Sequence, residues 1–436
     1  MTVRASPPVV RALTAASLLL VLLLAGCPRR EPGPAPAVLL NLWHTYNPEE
    51  TATLDRLLEQ VRAAHPGWRV QVTLIPFARG QNEFRRAAQK CGPEAPDVFR
   101  AELPWLAEFV SKRLIRPVPS WVGESDLLPE ARAAARYRGQ RWALPLSLDC
   151  LALFYDRDRV SRPPTSIDEL VRVARGATVD VAGRHPGSAG FDPARVSRWG
   201  FFVRADAYWF LPFLWAGGGD LLDPRAGQVF IDQPPAVAAL RAYRDLIARH
   251  QVAPPRPSPS NDYEEQMRRF ANGELAMMVN GPWATSALLG MPAFARGRLG
   301  IAPFPRGANG TPSSPLSGHG YVVSSCARRP DAAWQLAEAL AGTEAQAQFA
   351  RVNSLLPALS SAYTHPEARA NPFIAGFRAA LAAARSRPQH PAIARIFDDF
   401  NPAVQAVVLG EADAGEALAG VARSWRRLLR SQMNGP

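Results

Sequence analysis

The sequence predicts an α/β fold of mixed sheets flanked by helices, and three observations carry that prediction. Short apolar runs of strand length alternate with amphipathic stretches of helical period. The first three strands are separated by helices, the order that builds parallel or mixed sheets. At 436 residues, with 47% hydrophobic and 20% charged residues, the chain can bury a sizeable core in two domains of ordinary size.

Residues 1–26 read as a targeting segment. Arg4 and Arg11 supply a positive start, and 13–24 supply an apolar stretch too short for a comfortable membrane span. Leu24-Ala25-Gly26-Cys27 resembles a bacterial lipobox, which implies that Cys27 carries the lipid and anchors the chain to membrane. Removing 1–26 takes away those two arginines and no acid, so the formal charge falls from +12 to +10. Residues 27–37 are Pro-rich and read as an extended tether behind the acylated cysteine.

The elements follow in order. Residues 38–42 form an apolar strand that leads into Trp43-His44-Thr45-Tyr46-Asn47. Residues 49–64 form an amphipathic helix with Leu54, Leu57, Leu58 and Val61 on one face. Residues 70–75 alternate as a strand, 84–90 are helical, and Pro96-Asp97-Val98-Phe99 begins a third strand, with Glu102 just past it. The run 141–155 is apolar except for Asp149, a carboxylate that needs partners there: sugar hydroxyls or a structural arginine. Ser166 or Thr165 caps the next helix, and Glu169 closes a capping box if Ser166 is the cap. Residues 179–197 read as loop and 198–201 as the start of a strand. Asp206 opens a helix rich in aromatics, including Tyr208, Trp209 and Trp215, which Gly217 to Gly219 end. Residues 234–250 are an amphipathic helix, and 300–305 are a strand. A helix runs to Leu340, and 372–386 and 401–429 read as helical.

One stretch holds three elements in fifteen residues, 270–284. Asn272-Gly273 stops a helix, because glycine accepts the left-handed conformation of a helix end. Leu275 to Val279 are an apolar strand. Gly281-Pro282 starts a new helix, with proline where no amide donor is missed. Trp283 is thus held at a strand end and a helix start, where ligands meet open α/β sheets.

This stretch is similar to the "F..G.aAM..nGpWa" segment of extracellular sugar-binding proteins of ABC importers, the maltose-binding protein family. The resemblance covers about residues 38–430. It implies a two-lobed periplasmic-binding-protein fold of type II kind, with the ligand cleft between lobes. It implies that Trp283 stacks on a sugar ring. The opening "W" loop and the "PDV" strand bring Trp43, Asn47 and Glu102 to the cleft by the same resemblance. Asp149 matches a ligand-facing acid, and Asp206 and Tyr208 match an acid and an aromatic of the cleft, with Trp209 beside them. The family's chain crossings imply an N-terminal lobe of 38–147 plus 318–355 and a C-terminal lobe of 148–317 plus 356–436. Two departures bear on the ligand. Maltose-binding protein has a tryptophan shortly after "PDV", where Ala101 and Glu102 stand here, and its late ring-stacking tryptophan falls near Asn401. Another oligosaccharide, a disaccharide such as trehalose, or a monosaccharide therefore stays open.

The function implied is a monomeric, lipid-anchored receptor that delivers a sugar to the permease subunits of an ABC transporter. The alternatives are a same-fold receptor for another solute, such as a polyol or phosphodiester, and an extracellular carbohydrate-active enzyme. No nucleophile elbow, P-loop or dinucleotide fingerprint is present. Asp398-Asp399 are chain neighbours, a poor arrangement for glycoside hydrolysis. The seven histidines are scattered and no cysteine has metal-ligand spacing, so no metal and no cofactor is expected. The arginines are mixed with acids along the chain, so no nucleic-acid stripe is formed. Beyond Cys27 three cysteines remain, Cys91, Cys150 and Cys326, of which two can pair.

Overall fold

The computed structural model describes Thr2 and residues 37–292, 294, 297–307 and 313–433. Cys27, the targeting segment and nearly all of the tether lie outside the described residues. The fold is mixed α/β, and the described residues form two main sheets of unequal size and three two-stranded pairs.

The larger sheet has seven strands. β1 (Val38–His44) lies between β2 (Trp68–Leu74) and β3 (Val98–Glu102), parallel to both. β4 (Leu144–Cys150) leads after one residue into β5 (Ala152–Asp156), which belongs to the smaller sheet. That sheet is antiparallel, with β5 between β6 (Met277–Asn280) and β7 (Leu299–Pro303). β8 (Ser314–Val323) returns to the larger sheet and runs antiparallel between β3 and β4. β9 (Leu356–Pro357) pairs with β4, and β10 (Ala384–Ser386) pairs with the start of β8.

Helices cover the sheets where apolar faces demand it. α1 (Pro48–Ala64) starts in a full capping box: Asn47 Oδ1 accepts from Glu50 N at 2.8 Å, and Glu50 Oε2 accepts from Asn47 N at 3.1 Å. It lays Leu54, Leu57, Leu58 and Val61 onto Leu40 and Leu42, as its periodicity predicts. α2 (Phe77–Lys90) starts seven residues earlier than the sequence predicts and packs Phe84 on Phe99 across the other face. A second core gathers around α3 (Ala207–Ala216), with Phe210, Leu214 and Trp215 fully buried. α4 (Asp262–Ala271) precedes β6, and α5 (Pro330–Ala341) packs Trp334 and Leu336 in the same core as α1.

Four local readings are corrected. Residues 384–386 form β10 rather than helix, because pairing with β8 overrides the helical preference of Ala384 and Arg385. The last helical stretch is two helices, α6 (Ile396–Leu409) and α7 (Ala414–Met433), parted at Gly410, whose φ of 80° ends the first. Residues 179–197 carry a small antiparallel pair, Val179–Asp180 with Val196–Arg198. At the helix start near Thr165, Ser166 is the cap, but Glu169 turns back to Thr165 N at 2.9 Å and not to Ser166. The cysteine pairing is decided: Cys91 and Cys326 form a disulfide across 235 residues of chain, and Cys150 is free and buried.

Candidate functional site

Trp283 sits on the short 3-10 turn Pro282–Ala284 that follows β6, half-buried. Gly281 explains the motif locally. A Cβ there would collide with the six-membered ring of Trp283, so only glycine lets the indole fold back over its own strand end. Trp209 presents its edge to Trp283 with centroids 6.4 Å apart, and Tyr208 does the same to Trp209 at 5.3 Å. Trp209 is firmly held: its Nε1 donates to Val279 O at 3.0 Å, and Arg204 covers its ring at 3.8 Å. Arg204 is in turn paired with buried Asp262 at 2.7 Å. Asp206 caps α3, its Oδ1 accepting from Tyr208 N at 2.8 Å. Burial pushes the Asp206 carboxyl above the usual carboxylate range, against the pull of Arg204. Burial likewise raises the Tyr208 phenol, so it stays a neutral hydroxyl.

The other side of the site is built from charge. Asp149, on β4, is buried, and its Oδ2 lies 2.8 Å from His319 Nδ1 on β8. Glu102 ends β3, and its Oε1 accepts from Ser317 Oγ at 2.7 Å and from Arg387 Nη2 at 2.6 Å. Register places these groups together. Ser317 lies opposite Asp149, and His319 lies opposite both Ser147 and Glu102, so all five share one face of the β3–β8–β4 core. Beside them Arg100 Nη1 donates to Thr45 Oγ1 at 3.0 Å and stacks on Tyr46, whose hydroxyl is 2.9 Å from that of Tyr321. Burial, then the Arg100 charge, lowers His44 to a pKa of about 4. Burial raises the Glu50 carboxyl, with Arg100 opposing.

The two sides touch. Asn47 Nδ2 reaches Trp283 O at 3.5 Å, and Arg387 lies over Tyr208 at 5.5 Å while its Nη2 holds Glu102. Trp43 is the exception among the expected residues. It packs half-buried against the Phe84, Phe99 and Trp105 cluster, and none of the described ring contacts joins it to Trp283 or Tyr208. Sequence reasoning missed Arg387, His319 and the Arg100 network. His319 was visible only as one of several scattered histidines, and Arg387 carries no local signal. A cavity of about 450 Å³ lies elsewhere, lined by Gly227, Val229, Phe230 and Arg426 among others, and none of the expected residues touches it. Among the described residues no group of His, Cys, Asp and Glu could hold a metal ion.

Residues 56–376 match the family described as bacterial extracellular solute-binding protein. The chain belongs to this family. As an extracellular solute-binding protein it works outside the cytoplasm. It is 26% identical over 377 residues to a maltotriose-binding protein of Pyrococcus abyssi, covering 84% of this chain and 77% of that one. It is 27% identical over 290 residues to a probable ABC transporter-binding protein of Deinococcus radiodurans, covering 64% and 67%. Among solved structures, the GacH receptor of Streptomyces glaucescens, described unliganded and with acarbose, superposes with a TM-score of 0.81 at 31% identity, over 90% of this chain and 99% of that one. Maltose-bound MalE3 of T. maritima superposes with a TM-score of 0.79 at 25% identity, over 90% and 100%.

Proposed function

We propose that this solute-binding protein is the lipid-anchored sugar receptor of an ABC importer, taking a maltodextrin-like or other oligosaccharide and passing it to the permease. The observation that carries the reading is the aromatic corner of Trp283, Tyr208 and Trp209 set against a face of carboxylates. Rings take the apolar faces of a sugar, and acids take its hydroxyls. The relatives that bind maltotriose, maltose or acarbose support it. At the aromatic corner an anionic solute is disfavoured, because Arg387, which lies over the Tyr208 ring, is already paired with Glu102.

The chain is read as a binder and not an enzyme. Asp149 and His319 form an acid–imidazole pair, but Ser147 Oγ and His319 Nε2 have no hydrogen bond between them or to any other group. The lobes are taken to be 38–147 plus 318–355 and 148–317 plus 356–436, closing on ligand about the crossings near 146–152, 317–320 and 354–359. Cys27 is the anchor; Cys27→Ala should release the protein from membrane or leave it unprocessed, as fractionation shows.

A thermal-shift screen of the purified chain against mono-, di- and oligosaccharides, polyols and phosphodiesters tests the function. A ligand that binds only the folded state raises the melting temperature. Maltodextrins are expected to raise it. Stabilisation by a phosphodiester alone would refute the sugar reading.

A further inference from the structure

We propose that the end of the larger-sheet lobe where β1 begins is a membrane-docking face, which takes the anionic headgroups of a phospholipid bilayer. The inference rests on the reading of Cys27 as a lipid anchor.

Chain length sets the distance. Ten residues lead from Cys27 to Ala37, the residue before β1. Fully extended they span no more than about 35 Å. The start of β1 is therefore the part of the fold that the anchor holds near the bilayer.

Charge sets which surface meets the lipid. A cavity of about 180 Å³ opens at this end, lined by Ala37, Leu39, Cys326, Arg328 and Arg329 among others. Arg328 and Arg329 stand between the disulfide at Cys326 and the first residue of α5. Arg69 lies opposite Leu39 in the β1–β2 register. Arg86 and Lys90 lie one turn apart at the end of α2, where Lys90 adjoins Cys91. All five cations are exposed, and among the described residues none of the five has an ion-pair partner. The acids beside them are fewer. Glu94 and Asp331 are exposed, and the oxygens of buried Asp97 are taken by Asn41 N at 2.8 Å and Arg328 N at 3.2 Å. The tether adds Arg29 and Arg30 against Glu31. A basic cluster held beside a membrane is attracted to anionic headgroups once it comes within a Debye length, about 8–10 Å. Leu39, 48% exposed, gives this face an apolar tip suited to the headgroup boundary.

The lipid limits distance, and the basic face fixes orientation. Asn47, which reaches Trp283 O, follows β1, and Glu102 ends β3, so the candidate site lies at the opposite edge of the parallel strands. The seven residues of β1 hold it on the order of 20 Å farther from the bilayer. A docked receptor thus keeps its site away from the lipid and open to solute.

Vesicle flotation combined with amine labelling tests this. The mature chain, purified from membranes with its lipid, is mixed with vesicles of phosphatidylcholine alone or of equal parts phosphatidylcholine and phosphatidylglycerol. It should float with both, through the lipid. Lys90 and Lys112 are the only lysines of the chain, so the label is read at each by mass. Label on Lys90 should fall at least about five-fold on the phosphatidylglycerol vesicles, the ratio that one basic residue's attraction to an anionic surface gives. It should recover in about 1 M salt, where the Debye length is about 3 Å. The double variant Arg328→Glu/Arg329→Glu, at two exposed side chains, should float alike and lose the protection. Arg423→Glu/Arg427→Glu, on the exposed face of α7, should keep it. Equal labelling of Lys90 on both vesicles, or protection that survives Arg328→Glu/Arg329→Glu, would overturn the docking face while the anchor stands. A chain that floats only with phosphatidylglycerol would refute the anchor and keep the face. One that floats with neither would refute both.

Discussion

Trp283 and Tyr208 owe their local settings to neighbours in the chain, whereas Asp149 and Glu102 owe theirs to partners far along it. On the aromatic side Gly281 makes room for the Trp283 ring two residues on, and Asp206 caps the turn that carries Tyr208. On the polar side Asp149 meets His319 across 170 residues and Glu102 meets Arg387 across 285. The aromatic corner is two local motifs, each shaped by its own turn and joined where Trp209 Nε1 donates to Val279 O. The polar face exists only when strands from distant parts of the chain are in register. The first should tolerate change outside itself, and the second should fail when any one strand partner is lost.

The sharpest way to break this contrast is Arg387→Ala. The pair with Glu102 is nearly buried on both sides, so the variant strands a carboxylate. Breaking such a pair costs about 3–5 kcal/mol, and denaturant unfolding should show a loss near the lower end. Loss of affinity without loss of stability would mean that Glu102 is well solvated and the polar face is not a network.

Acid tests the same side. His44 is held at a pKa of about 4 against an ordinary 6.5. As pH falls below 6.5 the unfolded chain binds a proton that the folded chain refuses. Stability is therefore full above that value and is lost as pH falls towards 4, by up to about 3 kcal/mol. His44→Asn should flatten that slope in urea titrations between the two values. An unchanged slope would assign the acid sensitivity to other groups.

A smaller effect separates two roles of Asp206. As a helix cap its removal should cost about 0.5–2 kcal/mol, and Asp206→Asn should keep the cap while removing the charge. If Asp206→Asn retains stability but loses sugar affinity, the carboxylate also serves the ligand. If both are retained, Asp206 belongs to the helix alone.

The same contrast explains what could be read in advance. The α1 face of Leu54, Leu57, Leu58 and Val61 was legible because helical period is local. So was the strand–Gly–Pro–Trp corner. Arg387 was not, because it follows a strand, β10, whose residues prefer helix until β8 pairs with them. The Cys91–Cys326 bond was open among three cysteines until packing brought their Cα atoms to 5.2 Å. Asp149 was legible as a buried acid needing a partner, and its partner within the protein is a histidine, His319, and not an arginine.

The most direct measurement is one pair of experiments on Trp283→Ala, calorimetric binding of maltotriose and denaturant unfolding. A core tryptophan truncated to alanine costs about 3–5 kcal/mol of stability. Trp283 is half-buried with its ring at the site, so the account predicts a much smaller stability loss and an affinity that falls at least about a hundred-fold. A badly destabilised variant that still binds maltotriose with wild-type affinity when folded would contradict it.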